Sequence, residues 1–373
     1  MTETLATNRV IVEISAIRKN ITNLKSLIEN KKFFAVIKAD AYGLGALELM
    51  KNIDDIVDGY CVSSVDEGLE LRQGGTQKDI LNLGYTRLDQ VEIAAKNNIS
   101  IAIYDEDYSR KINEILKDLS LTIKGHIKLD TGHGRLGFRE SQESLDHIEA
   151  ISKLSNIDLV GIFSHLATAD EANTSYTLEQ KEIFDRMIQK LEDRGIVFEN
   201  KHLANDAGFI KHKIVYDLVR AGICLYGAYP SDVLEEEREV EIHPIFSWLS
   251  KVSFVKNIEE GTAISYGRTF IAESPMKIAT VAVGYADGYK RANSNKGYVL
   301  INGQKANVVG RVTMDQIMVD VTHIEDVQIG DDVVLIGESG DQSVTVEELA
   351  SWADTISYEI MTSISKRVLR IYQ

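Results

Sequence analysis

The stretch Phe-Phe-Ala-Val-Ile-Lys-Ala-Asp-Ala-Tyr-Gly-Leu-Gly, residues 33–45, combines an apolar run with a single amine. The five apolar residues 33–37 have the length of a buried strand, and Lys38 stands where that strand meets a glycine-punctuated loop. Such an amine is either a surface lysine or a nucleophile, because burial lowers the pKa of an ammonium and the free amine can form a Schiff base with a carbonyl cofactor. Tyr42 and the two glycines beyond it add a phenol and flexible N–H groups of the kind that bind phosphate.

Apolar strands alternate with helical segments from this stretch to about residue 220. The predicted strands lie at about residues 33–37, 59–63, 79–83, 100–104, 122–129, 157–163, 198–204 and 216–220. Eight strands interleaved with helices predict an α/β fold with parallel strands, and the economical closure is an eight-stranded, TIM-like β/α barrel. An open doubly wound sheet is the alternative. In a barrel the chemistry lies at the carboxyl ends of the strands, where this sequence places Lys38, Lys128, His165, Asn205 and Arg220.

The pattern changes after about residue 235, and short alternating strands punctuated by glycines follow beyond a charged run. The chain of 373 residues also exceeds the roughly 250–300 residues at which single cores stop growing. We therefore predict two domains, a barrel over residues 1–238 and a mostly-β domain over residues 239–373. The first strand, at about residues 8–14, is expected to join the C-terminal domain.

Local signals also predict helix ends. Ser15 is expected to cap a helix whose apolar residues recur from Ile17 at helical spacing. Thr345, with Glu348 three residues later, predicts the start of a short helix. The charged run 233–241 is either an exposed connection or a solvated helix.

Charge and cysteine content argue against several classes of protein. The formal net charge of −16 would repel nucleic acid and anionic membranes. Cys61 and Cys224 are the only cysteines and stand beside apolar residues, so we expect neither a disulfide framework nor a metal site. The N-terminus lacks a basic start followed by an apolar core, and no apolar run reaches the ~18 residues of a membrane span. We expect a soluble protein of the cytoplasm.

The segment around Lys38 resembles the pyridoxal-phosphate attachment segment of the alanine racemase family. In that family the lysine carries the cofactor and the tyrosine contacts its phosphate, which implies these roles for Lys38 and Tyr42. At least seven segments resemble those of this family in the expected order, from about residue 9 to Tyr372. Together they are far more specific than any one of them.

A second segment, residues 126–137, reads His-Ile-Lys-Leu-Asp-Thr-Gly-His-Gly-Arg-Leu-Gly. Lys128 would point into a barrel, where an ammonium must be paired, neutral or modified, and the planar fork of Arg135 suits the carboxylate of a small substrate. The segment resembles the family's Lys-X-Asp-Thr-Gly-Met-X-Arg-Leu-Gly. In that family the lysine is often carbamylated and holds the arginine, which contacts the substrate carboxylate and the cofactor's phenolic oxygen. The resemblance implies these positions for Lys128 and Arg135. His133 departs from the pattern, because methionine is usual there.

The segment Phe-Ser-His-Leu-Ala-Thr-Ala-Asp, residues 163–170, resembles the family's His-X-Ala-X-Ala-Asp. The resemblance implies that His165 bonds the arginine that faces the cofactor's pyridine nitrogen, which would be Arg220. An arginine keeps its proton, so that nitrogen would stay unprotonated and the ring would be a weakened electron sink, which disfavours transamination. Gly222 and Ile223 match backbone phosphate contacts in the family.

The segment His-Leu-Ala-Asn-Asp-Ala-Gly, residues 202–208, resembles the family's His-X-X-Asn-Ser-Ala and implies that Asn205 binds the cofactor. Asp206 occupies the serine position. The family's serine donates to the phosphate, whereas an ionised Asp only accepts and would repel it. We therefore expect either that the side chain of Asp206 turns away, leaving its backbone N–H to serve, or that cofactor affinity is weakened.

The segment Gly-Thr-Ala-Ile-Ser-Tyr-Gly, residues 261–267, resembles the one that carries the second base of the family. Racemisation requires proton removal from one face of Cα and delivery to the other, so two acid/base groups must flank the substrate. The resemblance implies that these groups are Lys38 and Tyr266. In the family this tyrosine comes from the other subunit, which implies a homodimer with shared active sites.

Three later segments, residues 284–288, 310–315 and 355–359, also resemble the family. They imply that Tyr285 and Arg311, together with Asp170, lie at the entrance of the site. They place Met314 near the substrate carboxylate across the dimer. Tyr358 would contact the phosphate and keep the substrate pocket small.

The resemblance implies an enzyme that interconverts L-alanine and D-alanine with pyridoxal 5'-phosphate and supplies D-alanine for peptidoglycan of the cell wall. A serine-preferring racemase of the same family is one alternative, although such relatives tend to open the position of Tyr358 and several carry a membrane domain. A non-catalytic pyridoxal-phosphate-binding barrel protein is another, but such proteins lack the second domain that carries Tyr266. A barrel decarboxylase would have a catalytic cysteine segment, which is not found near Gly310.

Overall fold

Residues 6–373 are described by a computed structural model of the chain. They divide into two units. The barrel unit contains Ile17–Ala41 and Ala46–His243. The β unit contains the described residues up to Ala16, Tyr42–Gly45 and Pro244–Gln373.

The first strand, β1 (Arg9–Val12), lies in the sheet of the β unit, and the next eight strands form the barrel. These eight are β2 Lys32–Val36, β3 Gly59–Val62, β4 Asp79–Asn82, β5 Ile99–Ile103, β6 Ile123–Lys128, β7 Ile157–Phe163, β8 Asn200–His202 and β9 Leu218–Ala221. All neighbours pair in parallel, from β8 through β7 to β2 and then to β9. The Asp217 N–H donates to the Lys201 carbonyl over 3.0 Å, which links β9 to β8. The predicted barrel is confirmed, and the open-sheet alternative is wrong.

Helices alternate with the barrel strands, the first preceding β2 and each of the others following a barrel strand. Their bounds are Ile14–Lys25, Ala46–Ile53, Val65–Gln73, Val91–Lys96, Glu106–Asp118, Gln142–Ser152, Ser175–Glu192, Asp206–Ile210 and Asp232–Glu237. Several begin at a side-chain cap, as at Ser64, Asp105 and Ser141, each of which accepts from the N–H three residues on. All five residues of β5 are buried, as expected for a parallel strand covered on both faces.

Two predictions on helix ends have different outcomes. Ser15 does not cap the first helix, because that helix already begins at Ile14. The Ile14 N–H donates to the Gln373 carbonyl over 2.8 Å, so this group is satisfied without a side-chain cap. Within the charged run 233–241, the helix interpretation is correct as far as Glu237.

The β unit is built on antiparallel strands. They are β10 Phe246–Ile258, β11 Ala263–Ile264, β12 Phe270–Ile271, β13 Met276–Val281, β14 Tyr298–Ile301, β15 Gln304–Val308, β16 Ile317–Asp320, β17 Asp332–Ser339, β18 Gln342–Val344 and β19 Leu369–Tyr372. Strands β10, β13, β16, β15, β14 and β17 close into a ring, since β17 also pairs with β10. The strand β1 lies between β10, to which it is antiparallel, and β19, to which it is parallel.

Two short helices complete the β unit. Val346–Trp352 begins at a capping box, in which Thr345 and Glu348 bond each other's backbone N–H as predicted. Ser357–Ser363, which carries Tyr358, was not predicted. No helix formed by residues 6–373 has the length and apolar character needed to cross a membrane.

Candidate active site

Lys38 lies two residues beyond the end of β2, at the carboxyl end of the barrel. Its side chain is partly buried. Burial first, and then the positive charge of Arg135, lowers the pKa of the Lys38 ammonium. A larger fraction of this amine is therefore free and nucleophilic at neutral pH than for an exposed lysine.

The backbone that follows Lys38 is left-handed. Ala39, Asp40, Ala41 and Tyr42 have φ between 52° and 56°, and Gly43 has φ of 83°. For residues other than glycine this conformation costs about 1–2 kcal/mol each, so the fold must hold it in place. The Ala39 N–H donates to Glu67 Oε1 over 2.8 Å, and the Asp40 carboxylate accepts from the Ala46 N–H over 2.8 Å.

Arg220 is a buried cation near the end of β9, with 3% of its surface exposed. Its guanidinium donates to His202 Nδ1 over 2.6 Å, to the Ser164 carbonyl over 2.8 Å and to the Leu203 carbonyl over 3.0 Å. It lies 3.3 Å from His165 Nδ1. Burial lowers the pKa of Arg220 to about 10, so it stays charged at neutral pH. Burial and Arg220 together hold the pKa of His165 well below its usual value.

A pair of buried histidines extends inward from Arg220. His202 Nε2 and His126 Nδ1 are 3.0 Å apart. Because a guanidinium only donates, His202 Nδ1 must accept, and its Nε2–H then donates to His126. Burial lowers the pKa of His126 to about 3 and that of His202 far below its usual value, so both rings are neutral. Glycine is required at position 161, where an added Cβ would lie 2.1 Å from His126 Nδ1.

Lys128 ends β6 inside the barrel with 3% of its surface exposed. Its Nζ donates to the Leu129 carbonyl over 2.6 Å and lies 5.4 Å from the centre of the Phe163 ring. Burial, Arg220 and Arg135 lower the pKa of Lys128 to about 7. The side chain of Arg135 is exposed on the loop beyond β6.

The loops after β8 and β9 meet around Asp206. Asn205 caps the helix Asp206–Ile210, its side-chain oxygen accepting from the Gly208 N–H over 3.1 Å. The Asp206 carboxylate accepts from the N–H groups of Gly222 and Cys224. Ile223, between them, is fully buried. The Asp206 side chain therefore points into the backbone of residues 222–224.

Two further predicted residues lie on loops of the barrel unit. Asp170 is partly buried, and its carbonyl accepts from the Ser231 hydroxyl over 2.6 Å. The His133 ring lies tilted against that of His165, with 5.4 Å between ring centres. Its Nδ1 is buried without a hydrogen-bond partner among the described residues.

The predicted residues of the β unit form three pairs. Tyr42 and Tyr358 are neighbours, with ring centres 5.9 Å apart. Tyr266 is 70% exposed and follows Ser265, whose hydroxyl donates to the Arg311 carbonyl over 2.6 Å. The Arg311 guanidinium packs against Gly267, so it lies beside the Tyr266 turn.

Tyr285 and Met314 lie on two loops that bond each other. The N–H groups of Tyr285 and Ala286 donate to the carbonyls of Thr313 and Met314, each over 3.0 Å. Both side chains are largely exposed, Tyr285 to 44% and Met314 to 53%. The chain therefore presents an aromatic ring and a thioether to the outside of the β unit.

Comparison with known proteins places these features in a family. The alanine racemase N-terminal domain matches residues 12–230, and the alanine racemase C-terminal domain matches residues 245–372. Alanine racemase 2 of Caldanaerobacter subterraneus subsp. tengcongensis is 40% identical over 375 residues, covering 100% of this chain and 96% of that protein. The chain belongs to the alanine racemase family. Members of this family are pyridoxal-phosphate-dependent isomerases.

Solved structures of this family have the same fold. Alanine racemase of Clostridium difficile 630 superposes with a TM-score of 0.93 at 40% identity, covering 99% of this chain and 96% of that one. Alanine racemase from Bacillus anthracis with bound L-Ala-P superposes with a TM-score of 0.93 at 34% identity, covering 99% and 95%. The barrel and the β-rich second unit are therefore those of an alanine racemase.

The chemistry of these residues fits the cofactor of the family. Lys38 offers a nucleophilic amine, and Arg220 offers a buried donor that keeps its proton at neutral pH. Residues 222–224 offer a set of N–H groups that already hold an anion, the Asp206 carboxylate. Sequence reasoning missed two contributors, His202 and His126. His202 stood in a recognised segment, but its contact with Arg220 depends on β8 and β9 being adjacent, which spacing along the chain does not reveal.

Proposed function

We propose that the chain interconverts L-alanine and D-alanine, with pyridoxal 5'-phosphate attached to Lys38. The observation that carries the proposal is the partly buried Lys38 amine, whose pKa is lowered, at the carboxyl end of an alanine racemase barrel. The pyridine nitrogen would face Arg220, and the phosphate would be held by Tyr42, Tyr358, Asn205 and the N–H groups of Gly222 and Ile223. When bound, the cofactor supplies an electron-withdrawing ring that makes the substrate Cα proton acidic.

Arg220 has a positioning role as well as a binding role in this proposal. Its hydrogen bonds to His202 and to two backbone carbonyls fix the plane of the guanidinium. His165, close to Arg220, would complete the support of this cation. Because Arg220 retains its proton, it favours an unprotonated pyridine nitrogen and so limits side reactions that need a stronger electron sink.

Two groups would move the substrate proton. The Lys38 amine would exchange a proton with one face of Cα, and the Tyr266 phenol would exchange one with the opposite face. We propose that Tyr266 comes from the second subunit of a homodimer with shared active sites. The 70% exposure of Tyr266 and the exposed Tyr285 and Met314 support this proposal, since a second copy would cover them.

Arg135 and Met314 would hold the substrate carboxylate. Carbamylation of Lys128 would convert a neutral amine into an anion that pairs with Arg135, and the lowered pKa of Lys128 favours that reaction. Asp170, Tyr285 and Arg311 would line the entrance. We also propose domain boundaries at 1–238 and 239–373, with β1 assigned to the second domain. The proposed physiological role is to supply D-alanine for peptidoglycan.

The test is a chiral assay of the purified chain with pyridoxal phosphate, using L-alanine and L-serine in parallel. We expect D-alanine to accumulate to equal amounts of the two enantiomers, and L-serine to react more slowly, because Tyr358 keeps the pocket small. Faster reaction of serine would favour the serine-preferring alternative. Cofactor attachment to Lys38 without any racemisation would favour the non-catalytic alternative and contradict the proposal.

A further inference from the structure

Asp206 is a buried carboxylate bonded to backbone N–H groups. Only 4% of its surface is exposed. The Gly222 N–H lies 3.0 Å from both carboxylate oxygens, and the Cys224 N–H lies 3.5 Å from Oδ2. Its hydrogen bonds within the described chain come from these amides rather than from a cationic side chain.

This arrangement places an anion on donors that the proposed function assigns to the cofactor phosphate. Backbone N–H groups of successive residues are suited to a phosphate for the same reason that they are suited to a carboxylate: they are fixed donors aimed at negative charge. Gly222 has one N–H to give, and both Asp206 oxygens share it. A phosphate oxygen at that N–H would have to replace them.

We infer that Asp206 is an internal anion that fills the phosphate-binding N–H groups of the cofactor-free chain, and that the cofactor phosphate binds in competition with it. The inference rests on the proposed function. The repulsion between a carboxylate and a phosphate dianion adds to the competition, because an ionised Asp has no proton to donate.

Burial disfavours the ionised form of Asp206, which is consistent with a carboxylate that a phosphate can displace. It raises the pKa of Asp206 to about 6, although the N–H groups of Gly222, Cys224 and Ile223 act in the opposite direction. Burial and then the charge of Asp206 raise the pKa of the neighbouring Cys224 thiol well above its usual value. Burial thus makes the ionised form of this carboxylate costly, and the amides hold it in place.

Serine is the matched replacement, since the family segment has serine at this position. The experiment compares the full-length chain with Asp206→Ser and Asp206→Asn, after cofactor removal. Each protein is titrated with pyridoxal 5'-phosphate and, separately, with pyridoxal, which lacks the phosphate. The readout is the dissociation constant from the absorbance change on attachment to Lys38. Asp105→Ser, at the exposed cap of the helix Glu106–Asp118, controls for the substitution itself.

We expect Asp206→Ser to bind pyridoxal phosphate about tenfold or more tightly than the natural chain, since one charged competitor is removed and one donor is gained. Pyridoxal affinity should stay unchanged, as should both affinities of Asp105→Ser. Asp206→Asn should fall between, because it loses the charge but presents an amide in place of the hydroxyl. An unchanged or weaker phosphate preference in both Asp206 variants would overturn the inference.

Inorganic phosphate provides a second readout that needs no cofactor chemistry. It should raise the melting temperature of Asp206→Ser more than that of the natural chain, and an equal rise in both would overturn the inference. The proposed function fails in a different way. If neither pyridoxal phosphate nor pyridoxal attaches in a manner abolished by Lys38→Ala, the cofactor assignment is wrong, and the inference falls with it.

Discussion

Arg220 donates a hydrogen bond to Nδ1 of His202 over 2.6 Å, and this contact fixes the protonation pattern of the barrel interior. The guanidinium cannot accept, so His202 must present a bare Nδ1 and carry its proton on Nε2. That proton then meets His126 at 3.0 Å. The cation proposed to face the cofactor ring is thus supported by two neutral histidines that belong to different strands.

The first prediction concerns this support. His202→Leu leaves one buried donor of Arg220 without a partner and should lower the free energy of unfolding by about 1.5–3 kcal/mol, the range for a hydrogen bond to a charged group. Urea unfolding measures the loss. The control is His212→Leu, which breaks a bond to the Ala169 carbonyl and should cost about 0.5–1.5 kcal/mol. A smaller loss for His202→Leu than for the control would contradict the assigned role.

The second prediction concerns Lys128. Its pKa of about 7 leaves the amine mostly neutral above that pH, and only a neutral amine takes up carbon dioxide. With ¹³C-labelled bicarbonate, a carbamate signal should appear in the carbon NMR spectrum at pH 8 and diminish below about pH 6.

Two substitutions on the same strand identify the carbamate. Lys128→Ala should abolish the signal. Lys124→Ala, which removes an exposed lysine near Asp79, should leave it intact. A signal that survives in Lys128→Ala, or one that is absent from the natural chain, would refute carbamylation at this position.

The third prediction tests whether active sites are shared between subunits. Lys38→Ala and Tyr266→Phe should each be almost inactive as separate proteins. Mixing them in equal amounts under conditions of subunit exchange should restore about one quarter of the natural rate, since half of the dimers are mixed and each has one intact site. No recovery, with exchange verified by mass spectrometry, would mean that Lys38 and Tyr266 act within one chain.

The fourth prediction is the pH dependence of stability conferred by Asp206. Its pKa rises from 3.8 in the unfolded chain to about 6 in the fold, so its contribution is fully present below pH 3.8 and is lost as the pH rises through about 6. Relative to Asp206→Asn, the cofactor-free natural chain should lose up to about 3 kcal/mol of unfolding free energy across this range. A difference between the two proteins that does not change between pH 4 and 7 would contradict the buried, ionised carboxylate.

Much of the fold was predictable because it is recorded in local patterns. Buried apolar runs alternating with helical segments specify parallel strands, and the eight predicted strands match β2–β9. The capping box at Thr345 was equally visible, since it needs only two residues at fixed spacing. By contrast, the left-handed conformation of residues 39–42 could not be predicted, because the segment contains no glycine or asparagine.

The rest depends on contacts distant in sequence. The Asp206 carboxylate bonds an N–H sixteen residues away, so its direction follows from how β8 and β9 lie side by side. The same adjacency brings His202 to Arg220. Ser15 lost its predicted role because the carbonyl of Gln373 bonds the first N–H of the helix, a partner at the opposite end of the chain.

The proposed two-base racemisation requires that Lys38 and Tyr266 exchange protons with opposite faces of the same Cα. The most direct measurement follows the Cα proton by NMR in D2O for the natural chain and for Tyr266→Phe, starting separately from L-alanine and D-alanine. For the natural chain, we expect deuterium to enter both enantiomers as they interconvert. In Tyr266→Phe, the face served by Lys38 should still exchange, so that one enantiomer takes up deuterium without inversion and the other reacts scarcely at all. If both enantiomers exchange and invert in Tyr266→Phe at the rate of the natural chain, the two-base assignment is contradicted.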